Sequence, residues 1–206
     1  RKGSRMRIPG TRRDTTWPII REATIELIYQ HGFETMNTRQ LAELVQMKPG
    51  SLYYYFSSKE ELLNRLVTEV LDEIVDDLES RLEGVESGLD RLDTFISGLA
   101  EWHVTRHKET YIARMETRSL SEERLDLYMK SRDRYDHLLD DILLQCRREK
   151  SIADIPLTLT RLSILTMITG ITSWFKPTGE ASLDDLTAFY VAAVRRLVGA
   201  NPDPSV

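Results

Sequence analysis

Apolar residues recur three and four positions apart along most of the chain, and runs of strict alternation flanked by turn pairs are missing, so the pattern predicts an all-α protein without a sheet. From Trp17 the residues Ile20, Ala23, Ile25, Leu27 and Ile28 fall at helical spacing up to His31, where Gly32 supplies a stop. Asn37 or Thr38 can cap a short second helix carrying Leu41, Ala42, Leu44 and Val45. After Gln46, Met47 and Lys48, Pro49 takes a first helical position, where its missing N–H is no loss, and a third helix is expected over 49–55. So short a connection has the length of a helix-turn-helix link. Ser58 then caps a long amphipathic helix in which Leu62, Leu66, Val70, Ile74 and Leu78 line one face, ending near Gly84. Further helices are expected at 88–106, 108–118, 121–149, 156–175 and 182–199, giving about nine in all.

The 206 residues, 41% hydrophobic and 30% charged, can bury a sizeable core and are far from collagenous or disordered compositions. No apolar run approaches the roughly 18 residues of a membrane span, and no apolar stretch follows the basic N-terminus as in a signal peptide, so a cytoplasmic protein is expected. Cys146 is the single cysteine, which excludes an intramolecular disulfide and a cysteine-based structural zinc site. Charge is uneven. Up to Lys59 there are ten Lys and Arg against five Asp and Glu, and beyond it eighteen against twenty-eight, a balance of +5 and −10 in a chain of net −5. A basic head on an acidic body points to a small polyanion-binding module on a body that repels polyanions.

The segment from Thr38 to Phe56 reads Thr-x-x-Leu-Ala-x-x-Val-x-Met-x-x-Gly-Ser-Leu-Tyr-Tyr-Tyr-Phe and is followed by Ser58-Lys59-Glu60-Glu61-Leu62. It resembles the DNA-binding region of the TetR-type (tetracycline-repressor-like) transcription regulators, closely from Ile20 to Leu66 and in helix count over the whole chain. Gln46 stands where that family usually has a turn glycine, and Lys48 where it often has a capping serine. If the backbone at Gln46 needs positive φ, a glutamine there is strained. Residues 1–12 are basic and without period, with Gly3, Ser4, Pro9 and Gly10, so a flexible arm is expected there; the resemblance implies a helix-turn-helix DNA-binding domain over 13–58 and an effector-binding and dimerisation domain over 59–201, leaving a tail over 202–206. It also implies a homodimeric repressor of a palindromic operator, released by a small-molecule effector that tilts the fourth helix, the lever running from Lys59 to a pocket floor near Leu78.

Physical reasoning supports the same head. A recognition helix must offer polar donors to a major groove while its other face, here Leu52 and Phe56, packs inward. Three consecutive tyrosines point about 100° apart on a helix, so at least one is exposed, with a ring for sugar or a thymine methyl and a hydroxyl for phosphate. Gly50 allows close backbone approach to DNA. The expected DNA-facing residues are Thr38, Arg39, Lys48, Pro49, Gly50, Ser51, Tyr53, Tyr54, Tyr55 and Lys59, with Thr38 and Lys59 assigned to the backbone by the resemblance.

The resemblance also implies that the last two helices of the body form the homodimer interface; the sequence agrees, since 156–175 is apolar nearly all round, with one side for the pocket and another for the dimer mate, and 182–199 carries a broad apolar stripe. Trp174-Phe175-Lys176-Pro177-Thr178-Gly179, with Leu183 and Tyr190, is similar to a branch of the family that controls fatty-acid, aromatic-acid and steroid degradation and responds to acyl-CoA thioesters, which implies an acyl-CoA or fatty-acid effector. Candidate pocket residues are Phe95, Leu99, Trp102, His103, Tyr111, Met115, Met129, Met167, Thr169, Gly170 and Trp174; each also suits plain core packing. His103 and His107 have i, i+4 spacing but lack further ligands, and Cys146 beside Arg147 has no resolving partner, so no metal, cofactor or redox role is expected. No phosphate-binding glycine motif or readable nucleophile–base pair points to an enzyme. The rival reading is a helical DNA-binding activator or architectural protein without small-molecule control, which would have a fully packed body.

Overall fold

The computed structural model describes residues 13–176 and 181–200; the expected arm over 1–12, the whole expected tail over 202–206 and the 177–179 part of the Trp174–Gly179 stretch lie outside them. Among the described residues there are ten α-helical segments, one 3-10 turn and no strand. The basic end folds as α1 (Arg13–His31), α2 (Thr38–Leu44) and α3 (Pro49–Leu52). α1 stops at Gly32, whose φ of 78° suits a residue without Cβ. α2 starts at Asn37, whose side chain accepts from Arg39 N and Gln40 N while the Gln40 side chain accepts from Asn37 N, a reciprocal cap. Gln46, between α2 and α3, does sit in the left-handed region at φ 54°.

α3 is shorter than the sequence reading of 49–55. It makes one turn to Leu52, after which Tyr54 N and Tyr55 N bond three residues back, to Ser51 O and Leu52 O. Phe56 N bonds four residues back to Leu52 O, and both side chains are buried before Ser58 caps the next helix.

α4 (Lys59–Leu82) begins in the head and runs about 36 Å at 1.5 Å per residue. Its buried face, from Leu62 and Leu63 to Leu78 and Leu82, is covered by α5 (Gly88–Thr105), α6 (His107–Met115) and α7 (Glu122–Arg148). Gly98 permits the close α4–α5 crossing, since a Cβ there would lie 2.9 Å from Leu78 Cδ2. The expected 108–118 helix ends at Met115, and a 3-10 turn over Thr117–Ser119 leads to α7.

α8 (Leu157–Thr169) and α9 (Ile171–Trp174) take the place of the single helix expected over 156–175. Thr169 O accepts from Arg114 (3.0 Å) and from the Thr172 hydroxyl (2.9 Å), and Ser173 N turns to Gly170 O instead. α10 (Leu183–Leu197) packs its inner side, Leu186, Tyr190 and Val194, on α5. Its Arg195 grips Asp93 of α5 through both carboxylate oxygens, and Arg161 of α8 holds Asp136 and Asp140 of α7.

Candidate nucleic-acid interface and effector cavity

The head presents one polar, cationic face. Leu41, Ala42, Leu52 and Phe56 are turned inward, which leaves Arg39, Lys48, Pro49 and Gly50 exposed, with Thr38 and Ser51 half-buried beside them. Tyr53 is 54% exposed and Tyr54 80%, whereas Tyr55 packs against the core. The first two rings therefore stand out from a rigid base, since the Tyr53 ring lies 6.3 Å from that of buried Phe56. A Cβ added at Gly50 would meet nothing within 4 Å, so internal packing does not require a glycine there. Lys59 is tied down: its ammonium donates to Glu34 O (2.9 Å) and lies 4.5 Å from the Phe33 ring centroid. It braces the α1–α2 connection against α4 and has donors to spare.

The head is joined to the body through α1, α4 and α6. Glu73 on α4 pairs with Arg21 of α1 and with Arg106 at the α5–α6 corner. Lys108 of α6 pairs with Glu26 of α1, Tyr29 stacks edge-on against Tyr111 at 5.5 Å, and Phe33 N donates to buried Glu116.

The opposite face of α6 lines a cavity of about 270 Å³. Leu71 and Ile74 of α4, His103 of α5, Thr110, Ala113 and Arg114 of α6, and Thr117 form part of its wall. Leu125, Tyr128, Met129, Arg132 and Tyr135 of α7 and Thr169 of α8 complete it. The pocket thus meets α4 at Leu71 and Ile74, about a turn before the floor expected near Leu78. No carboxylate is among the lining residues, while two guanidiniums are. Arg114 donates to Thr169 O, and Arg132 donates to Asp136 at 3.4 Å. Burial pushes the Tyr128 and Tyr135 hydroxyls upward in pKa, and Tyr128 donates to Ala113 O. Burial, with Arg114 and His107 adding to it, pulls His103 down to about 4, so its ring is neutral at pH 7.

Of the residues expected at the pocket, His103, Met129 and Thr169 line this cavity. The rest are placed elsewhere. Phe95 and Leu99 are fully buried core. Trp102 donates to Asp77 on the α4–α5 flank, and Tyr111 faces Tyr29 of the head. Met115 ends α6 near the surface, Met167 packs against the core, and Gly170 forms the α8–α9 break. Trp174 lies in a surface groove with Phe189 and Tyr190. The sequence reading missed Arg114, Tyr128, Arg132 and Tyr135. For the three on α7 the signal was present, since Leu125, Tyr128, Arg132 and Tyr135 repeat at three- and four-residue spacing on one face of that helix. The i, i+4 histidines do not converge on a shared ligand set: His107 bonds Thr172 O at 3.1 Å, while His103 turns to the cavity. Burial raises the Cys146 thiol to about 11, far from a reactive thiolate.

Comparison with known proteins fits this geometry. Residues 20–66 match the profile of bacterial regulatory proteins of the tetR family, and residues 85–198 match the tetracyclin repressor-like C-terminal domain. The chain is 23% identical over 190 residues to the HTH-type transcriptional repressor KstR2 of Mycolicibacterium smegmatis, an alignment that covers 90% of each protein. Its fold is similar to that of a tetR-family regulatory protein from Rhodococcus RHA1, with TM-score 0.86 and 22% identity over 93% of this chain and all of the other. It is also similar to AibR in complex with isovaleryl coenzyme A and operator DNA, with TM-score 0.80 and 23% identity over 90% of this chain and all of that one.

Proposed function

The chain belongs to the tetR family of bacterial regulatory proteins, and from that premise we propose that it is a homodimeric repressor which binds a palindromic operator and leaves it when a small anionic effector enters the body cavity. The observation that carries the DNA reading is the exposed Tyr53–Tyr54 pair, on a head that also exposes Arg39 and Lys48 while Leu41, Ala42, Leu52 and Phe56 are buried. In a dimer the two faces would enter successive major grooves roughly 34–36 Å apart, with Gly50 against the backbone and Thr38, Ser51 and Lys59 donating to phosphates.

The dimer reading rests on apolar surface that the chain itself leaves uncovered. Leu159 (62% exposed) and Leu162 on α8 continue toward Phe189 (63% exposed) and Leu197 on α10. Helix α10 has apolar residues on two sides, and α5 covers only the side with Leu186, Tyr190 and Val194. A twofold contact uses the remaining side of each copy against the other.

The cavity favours effector control over the rival of a DNA-binding protein with a packed body. Its size, at the lower end for small-molecule pockets, suits an acyl chain, with the nucleotide of a CoA thioester lying outside. α6 carries cavity residues on one face and head contacts on the other, so a ligand that displaces α6 also loads Lys108–Glu26 and, through Glu73, helix α4. To empty an operator, the ligand must prefer the released state by a few kcal/mol.

Two experiments test this. Duplexes selected from a random pool should be palindromic, and log K against log[salt] should fall by about 0.9 per neutralised phosphate; a flat response would refute the DNA reading. A thermal-shift series of CoA thioesters and free acids tests the effector, because a ligand of the folded state raises stability as RT ln(1 + [L]/Kd).

A further inference from the structure

The cavity holds one group that an acyl chain leaves unsatisfied. His103 projects from α5, is 5% exposed and lines the cavity, and neither of its ring nitrogens has a hydrogen-bond partner. A neutral imidazole carries one N–H donor and one bare acceptor nitrogen, and a buried polar group left unpaired is costly. The neighbouring hydroxyls do not relieve it. Thr110 donates to the backbone oxygens of Arg106 and His107, and Tyr128 to Ala113 O. The wall combines apolar Leu71, Ile74 and Ala113 with threonine and tyrosine hydroxyls, and its charged members are the cations Arg114 and Arg132.

Taking the cavity as the effector site, we propose that its ligand is an organic anion whose apolar body ends in a hydroxyl or carbonyl oxygen, and that His103 binds this oxygen while Arg114 and Arg132 hold the anionic group. A hydroxyl matches the imidazole fully, since it accepts from the N–H and donates to the bare nitrogen. The 270 Å³ cavity corresponds to roughly nine water-sized volumes, which sets the scale of the enclosed part at a medium-chain acid.

The test is calorimetric titration of the full chain with straight-chain carboxylates of six to ten carbons and their terminally hydroxylated counterparts. Wild type should bind the hydroxylated member of at least one pair about tenfold more tightly. His103→Leu should keep binding the plain acid and lose that preference, and His103→Gln, which retains a donor and an acceptor, should recover part of it. Circular dichroism checks each fold, and His103→Phe, closer in shape to the native ring, replaces the leucine variant if that one does not fold. Equal affinities within every pair, or a preference that survives in the apolar variants, overturn the role of His103 and leave the cavity reading standing. Binding of neither kind of acid to wild type overturns both.

Discussion

Protonating His103 would place a cation in a pocket that already holds two guanidiniums and no carboxylate. The groups facing it are Arg114 and His107 from α6 and Arg132, Tyr128 and Tyr135 from α7. Its pKa falls from 6.5 in the unfolded chain to about 4 in the folded one, because burial disfavours the imidazolium and Arg114 and His107 add to that. Between these values the unfolded chain binds a proton that the folded chain refuses, so stability rises with pH across the window. The contribution is complete above about pH 6.5 and is lost as the pH falls toward 4. At about 1.36 kcal/mol per unit the whole span is worth about 3 kcal/mol, and the part between pH 7.5 and 5 about 2 kcal/mol. Urea unfolding of wild type and His103→Leu at both pH values, at one protein concentration, isolates this, because carboxylates such as Glu26 and Glu61 titrate alike in both proteins. Wild type should lose about 2 kcal/mol more than the variant on acidification. Equal losses would mean that the folded ring titrates normally, and the argument from burial would fail.

Other substitutions test the remaining elements. Tyr54→Ala removes a ring that is 80% exposed, so it should weaken operator binding by about 1–3 kcal/mol with an unchanged melting temperature; undiminished affinity removes Tyr54 from the interface. Gln46→Gly relieves a left-handed backbone at φ 54° and should raise stability in urea by about 0.5–1 kcal/mol, the larger freedom of the unfolded glycine offsetting part of the gain. Phe189→Asp, on the outer side of α10, should give folded monomers by sedimentation, whereas Val194→Asp, buried in the chain's own core, should unfold the protein. A folded dimer carrying Phe189→Asp would place the interface elsewhere.

The head was legible in the sequence because its signals are local. Asn37 and Ser58 cap their helices with their own side chains, Gly32 and Gly84 take positive φ at helix stops, and Pro49 opens α3, each acting within a few residues. The departure at Gln46 was visible only against the family's usual turn glycine, and the structure supplies the positive φ that the sequence left conditional. Periodicity found α4 and the body helices, since a buried face repeats every three to four residues whatever covers it. Periodicity is silent about the cover. The stripe on α10 was read as one dimer face, but α5 takes its inner side, and the choice between these rests on a contact a hundred residues away in the chain. Large apolar side chains at helical spacing selected Phe95, Leu99 and Trp102 as pocket residues, although the first two are core and the third faces Asp77.

By itself, then, the sequence determined the all-α class, the order of the helices, the helix-turn-helix and the cationic, tyrosine-bearing face, all of which follow from side-chain chemistry within one or two turns. The tertiary structure alone decided where the helices fail to fill space. The cavity exists because α4, α5, α6, α7 and α8 meet around Leu71, His103 and Arg132 without closing. At the α8–α9 break Arg114, 55 positions before Thr169 in the sequence, donates to that residue's carbonyl alongside the local Thr172 hydroxyl. The cavity and the Arg114 contact depend on the relative placement of distant segments, which no local pattern of apolar and polar residues encodes.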